Sequence, residues 1–310
     1  MMLHGFLMFL GSLRTVRRLH RKYHFDCIDA HYVYPDGFAA VLLGMLLRLP
    51  VIVSARGTDI NVFPSFSTIR PMIRWTLRQA SGVVAVSDAL RKAITDLGVP
   101  KDKVAVISNG VDVERFRRMP QRDARQKLRI PDHSKMAVCV ASLTEAKNHK
   151  LLISAFSQIL DTNSEARLYI VGEGPLREEL EHLIHQLFLG GKVLLVGTRP
   201  NEELPLWFNA ADVSCLVSSR EGWPNVVMES IACGTPVVAT RVGGIPEIVT
   251  TSDLGILVEP NPSSIASGLR EGFSKEWNRG LLAQHAQSRS WAEVAVEVEA
   301  YLADKISGVS

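Results

Sequence analysis

Cysteine is scarce in this chain, with 4 in 310 residues. Cys27, Cys139, Cys215 and Cys233 stand singly in apolar runs without CxxC spacing. That argues against a disulfide framework or a thiolate zinc site and suits small buried residues in a reducing cytosol. No low-complexity tract interrupts the chain, and no apolar run is long enough to span a bilayer. The run from Gly5 to Leu13 is followed rather than preceded by its charges, and no small-residue cleavage site comes after it, so it does not read as a signal peptide. The amino-terminal half also lacks a Gly-rich turn after its first strand, which a Rossmann-like unit normally carries.

What is present is an uneven charge. Residues 1–130 hold 21 Lys and Arg against 10 Asp and Glu, a net of +11, and the remainder carries −8. A basic half of this kind suits an anionic surface such as lipid head groups, phosphate-bearing acceptors or nucleic acid, or else a solvated face. Residues 1–25 read as a helix. Arg14, Arg17, Arg18 and Arg21 fall at i, i+3, i+4 and i+7, while Phe6, Leu10, Leu13 and Leu19 supply apolar surface. Both contact with a membrane surface and plain packing fit that pattern.

From Phe25 short β-branched runs alternate with helical stretches, the signature of a parallel, doubly wound α/β sheet. Four strands (in CIDA, VIVSA, VVAV and VAVI) precede an Arg-rich stretch, 115–135, with Pro120 and Pro131, which reads as a linker. Six more strands follow, from MAVCVAS to GILVE, making a complete Rossmann-like unit over 136–288. Residues 289–310 read as a terminal helix. The first unit, 1–114, looks as if it starts in the middle of its domain.

The densest stretch is 218–249, SSREGWPNVVMESIACGTPVVATRVGGIPEIV. A buried strand ends before it, Glu221 lies in the exit loop, and Pro224 sits where a helix carrying Glu229 begins. Both carboxylates then face the crevice outside the carboxyl ends of the strands, where open α/β sheets bind ligands. Amides at the helix start offer a seat for phosphate. From the residues alone, a strand, loop and helix with surface glutamates is the other reading.

E-G-W-P-N-V-V-M-E, followed by A-C-G-T-P-V-V-A-T and V-G-G-I-P-E, resembles the Glu-x7-Glu motif of the retaining glycosyltransferases of family four. The resemblance implies the GT-B fold, two Rossmann-like domains facing across a cleft, here with the first one incomplete and the helix of 289–310 returning to it. It implies transfer of a hexose-type sugar from a nucleoside diphosphate sugar to a glycan or lipid-linked hydroxyl acceptor, in envelope polysaccharide or glycolipid synthesis. His31, Lys147 and Glu221 would stand at the reacting centre. Ser142, Lys147, Gly222, Pro224, Asn225, Val226 and Glu229 would lie against the nucleotide. Lys147 would meet the diphosphate, Glu229 the ribose hydroxyls and Glu221 the donor sugar. G-E-G-P (172–175) is a turn near the nucleotide in relatives, and V-G-G-I-P-E (242–247) would shape the far wall of the pocket.

Two departures from the family pattern stand out. Arg56 replaces the usual His in A-R-G-T-D-I-N (55–61), where Asp59 would order the loop or meet acceptor. Ser142 replaces a frequent Arg, removing a charge-assisted contact of about 1.5–3 kcal/mol unless Arg56 or Arg199 substitutes. S-N-G-V-D (108–112) resembles the family's hinge segment or is a plain Asn-Gly turn. There is no Asp-x-Asp for a metal, so the expectation is no metal and no cofactor beyond the donor. Nucleic acid is not expected as a partner. The expected location is cytoplasmic, peripheral at the inner face of the membrane. A phosphorylase or epimerase of the same fold, or a non-catalytic nucleotide-binding remnant, are the competing readings. A chain without the opening of its first domain is expected to bind nucleotide yet transfer sugar poorly.

Overall fold

The computed structural model describes residues 3–307. The chain divides into two units: residues up to 109 together with those from 292, and residues 110–291.

In the first unit four parallel strands, β1 (Ile28–His31), β2 (Val51–Ala55), β3 (Gly82–Ala85) and β4 (Val104–Val106), lie side by side in sequence order. Right-handed crossovers in an unreversed order put every connecting helix on one face. Val51 and Val53 of β2 point to that face, against Gly44 and Gly37 of the segments preceding it. The opposite face, lined by Ile52, Val84 and Ile107, would otherwise meet water. It is covered by the terminal helix Trp291–Ser307 through Val294, and the Tyr301 hydroxyl donates to the Val83 carbonyl at 3.3 Å. Gly82 makes room, since a Cβ there would lie 2.6 Å from that hydroxyl.

The opening helix, His4–Tyr23, seats Gly5 against Phe38, and the Phe6 and Phe38 rings meet edge to face at 5.3 Å. Leu13 and Leu19 are half-buried, whereas Leu3, Phe6, Leu7, Met8 and Leu10 are exposed. No helix among the described residues is long and apolar enough to cross a membrane.

The second unit has a six-stranded parallel sheet of β5 (Met136–Val140), β6 (Arg167–Val171), β7 (Val193–Gly197), β8 (Val213–Leu216), β9 (Val237–Thr240) and β10 (Gly255–Val258), in the order β10-β9-β8-β5-β6-β7. Its inner strands are buried on both faces and feed two cores alternately. Met136 and Val138 join one, Ala137 and Cys139 the other. This two-sided burial is why these strands read as continuous apolar runs. The strand order reverses between β5 and β8, which defines a topological switch point.

The stretch expected as a linker, 115–135, contains a helix, Gln121–Leu128, that belongs to the second unit. Within this Arg-rich stretch Arg125 is buried. Its Nε donates to the Ala210 carbonyl at 2.9 Å, and one Nη pairs with Asp212 at 3.0 Å. Asn209 accepts from the Met119 amide at 2.8 Å.

Candidate active site at the strand exits

The loops leaving β5 and β8, neighbours at the switch point, carry the second unit's candidates. After β5 the chain runs past Ser142, which is exposed, to Lys147 at the end of a short turn (Glu145–Lys147). Asn148 then adopts a left-handed conformation ahead of the helix His149–Ser157. This loop is held from below. The buried His149 places Nε2 3.0 Å from the Ser142 carbonyl, and burial lowers its pKa, so Nε2–H of a neutral ring donates. The Leu143 amide donates to the Glu173 carbonyl at 2.9 Å. Gly172 and Gly174 permit the approach: a Cβ at either would lie 2.0 Å or 2.5 Å from the carbonyl oxygens of Ala141 and Leu143. The G-E-G-P turn is therefore a support for the Lys147 loop.

After β8, the buried Ser218 donates its hydroxyl to Glu221 Oε1 at 2.6 Å, and Lys147 Nζ meets the same oxygen at 2.5 Å. The two loops are further tied by the Ser219 amide to the Ala146 carbonyl at 2.8 Å and by Asn148 Nδ2 to the Val217 carbonyl at 3.2 Å. V-G-G-I-P-E closes the other side. Gly243 has φ +53°, and a Cβ there would stand 2.0 Å from the Glu221 carbonyl oxygen, while the Gly244 amide donates to Gly222 at 3.1 Å. So Lys147 and Glu221, assigned from the sequence to different parts of a ligand, are bonded to each other here. Ser218, which sequence reasoning missed, orients the carboxylate.

The helix Asn225–Ala232 starts directly beyond this pair. Pro224 is the capping residue, one position earlier than expected, and supplies no side-chain cap. The amides opening a helix lack intrahelical acceptors and carry the positive end of its dipole. Asn225 and Val226 stand at that end. On the second turn Glu229 is half-buried, and burial pushes its carboxyl up to about 7, opposed by the charge of Arg115. Arg199 lies elsewhere: it follows the edge strand β7, separated from β5 by β6, and approaches Glu203 at 3.9 Å.

In the first unit the three strand exits singled out separately converge on Arg56. Its Nε donates to His31 Nδ1 at 3.1 Å, an Nη2–H points at the same nitrogen, and Nη1 donates to Asn109 Oδ1 at 2.9 Å. On its far side His31 Nε2 lies 3.1 Å from Asp29 Oδ2. Asp29 was missed, although its place two residues before His31 puts it on the same side of β1. Asp59 is fully buried and accepts from the amides of Val33 (2.9 Å), Gly57 (2.8 Å) and Arg56 (3.1 Å). Burial raises its pKa against those bonds. Of its two expected roles, ordering the loop is the one these contacts describe. Among the described residues no group of three or more His, Cys, Asp or Glu is arranged to hold a metal ion.

Comparison with known proteins follows the same division. A family model described as glycosyl transferases group 1 matches residues 120–289, and one described as glycosyltransferase family 4 matches residues 1–115. The D-inositol 3-phosphate glycosyltransferase of Corynebacterium diphtheriae is 33% identical over 319 residues, covering 96% of this chain and 74% of that protein. The N-acetyl-alpha-D-glucosaminyl L-malate synthase of Bacillus anthracis is 28% identical over 241 residues, or 77% of this chain, which spans 62% of that protein's length. Among solved structures, Anabaena HepE in complex with UDP-glucose superposes with a TM-score of 0.80 at 24% identity, over 95% of this chain and 84% of HepE.

Proposed function

Because the chain belongs to the glycosyl transferases group 1 family, and its two parallel sheets follow the GT-B fold, we propose that it transfers a hexose-type sugar from a nucleoside diphosphate sugar to a hydroxyl acceptor, with retention at the anomeric carbon. The observation that carries this reading is the Lys147–Glu221 pair at the switch point, beside the start of the helix Asn225–Ala232. The departing group is a diphosphate, so the protein's main task is to receive developing negative charge. Lys147 and the amides of Asn225 and Val226 are suited to that. Once Lys147 turns to phosphate, Glu221 is released to accept hydroxyls of the donor sugar, and Glu229 accepts those of the ribose. The acceptor hydroxyl attacks from the face the diphosphate leaves, so no residue is assigned a covalent role. For His31 the ground for a role at the donor sugar is the family resemblance of its segment. The reading calls for no resident metal.

Envelope polysaccharide or glycolipid synthesis is the setting we favour. The helix His4–Tyr23 supports a peripheral place at an anionic membrane face, since it combines exposed Leu7 and Leu10 with Arg14, Arg17, Arg18 and Arg21 and has no acidic residue. The test is incubation with a panel of nucleoside diphosphate sugars and hydroxyl acceptors, with the anomer of the product read by NMR. Product formed only with free phosphate would indicate a phosphorylase. Failure of every nucleoside diphosphate to bind in calorimetry would overturn the reading.

A further inference from the structure

We propose that Arg56 is a positioning residue that holds the His31 ring in one orientation and one tautomer. The inference rests on the reading above only in placing His31 at the donor. A guanidinium can only donate, and its N–H groups leave in a fixed planar fork. Two of them, on Nε and Nη2, face His31 Nδ1. That nitrogen must therefore present its lone pair, and the ring proton sits on Nε2, where Asp29 Oδ2 accepts it at 3.1 Å.

The fork's other end fixes the fork itself. Nη1 donates to Asn109 Oδ1 at 2.9 Å, so Arg56 reaches from the exit of β2 to β1 on one side and past β3 to the segment after β4 on the other. Its backbone is equally constrained. Asp59 accepts from the Arg56 amide and from the Val33 amide, two residues beyond His31, and so sets the separation of the two loops. His31 itself is about half exposed, with 51% of its side chain accessible. Packing alone would leave such a ring free to turn, and the hydrogen bonds at both nitrogens supply the constraint. A lysine at this position would offer a compact ammonium with rotating donors in place of a rigid planar fork. The ring is oriented before any ligand arrives, which is what a contact to the reacting sugar requires.

The experiment is 15N NMR of protein labelled at histidine, with the His31 signals assigned by their loss in His31→Gln. The expected wild-type pattern is a protonated Nε2 and an unprotonated, hydrogen-bonded Nδ1. In Arg56→Met the Nδ1 resonance should move toward that of a bare imidazole nitrogen. Arg56→Lys, which keeps the charge if the methionine variant folds poorly, should move it in the same direction. Both variants should retain nucleoside diphosphate affinity, while turnover falls by about 100-fold, as for a contact displaced by an ångström. A wild-type proton on Nδ1, or an Nδ1 signal that does not move in either variant, overturns the proposal. So does a loss confined to diphosphate affinity, which would make Arg56 a phosphate contact. If the wild-type protein binds no nucleotide, the functional reading fails while the NMR result still decides the role of Arg56.

Discussion

Glu229 offers the sharpest test, because its protonation and its proposed role pull in opposite directions. Burial lifts its carboxyl from an ordinary 4.5 to about 7 in the ligand-free protein. The unfolded chain gives up this proton more readily, so the folded state binds more protons between those values. The associated stability is present below the unfolded value and is lost as the pH rises through 7, by about 3 kcal/mol at most. Binding runs the other way. Ribose hydroxyls donate best to a carboxylate, and below pH 7 the proton must first be removed. At pH 6 about a tenth of the groups are ionised and at pH 8 about nine tenths, so affinity should weaken by up to about tenfold, or about 1.4 kcal/mol, from pH 8 to pH 6. The assay is calorimetry with a nucleoside diphosphate sugar, whose substituted diphosphate does not itself titrate in this range. Glu229→Gln should bind about 1–3 kcal/mol more weakly than wild type at pH 8 and should lose the pH dependence. A flat profile in the wild-type protein, or the same slope in Glu229→Gln, would refute the ribose role.

Lys147→Met should narrow the affinity gap between nucleoside diphosphate and monophosphate; an unchanged gap would move the diphosphate contact to another cation. Glu221→Gln frees Lys147 from its 2.5 Å partner, so free nucleoside diphosphate should bind at least as well while the nucleotide sugar binds less well, and equal losses for both would contradict the division of labour. Gly243→Ala places a methyl 2.0 Å from the Glu221 carbonyl at a positive φ and should cost about 1–3 kcal/mol in urea unfolding; a variant as stable as wild type, with the same nucleotide affinity, would show that this wall is not tightly set.

The ten strands of the described residues were legible because most are short runs rich in Val, Ile, Leu or Ala. Composition did not reveal that Arg125, within 115–135, is a buried partner of Asp212. Burial of that kind depends on what the fold brings alongside, here the Ala210 carbonyl far along the chain. The Glu-x7-Glu stretch was legible as a motif because its residues are local. Its bond to Lys147 was not, since it exists only because β5 and β8 become neighbours when the strand order reverses. Arg56 shows the same limit: the sequence marks it as a departure from its relatives, but its partners are set by the order β1-β2-β3-β4.

Those partners bear on how ligand recognition works in each unit. Lys147 is neutralised by Glu221, and Arg56 is engaged with His31 and Asn109. An anion approaching Lys147 must therefore exchange for an existing partner, and the net gain is the difference between two charge-assisted contacts. A bare diphosphate has little to add beyond that exchange. On the proposed reading a nucleotide sugar would bring ribose hydroxyls for Glu229 and sugar hydroxyls for the carboxylate that Lys147 releases, so each displaced bond would be replaced and the displaced Glu221 would acquire a use. Selectivity for the complete donor would then arise because the resting site is already satisfied. Inorganic pyrophosphate should compete poorly with the nucleotide sugar in wild type and better in Glu221→Gln, where Lys147 has lost its charged partner.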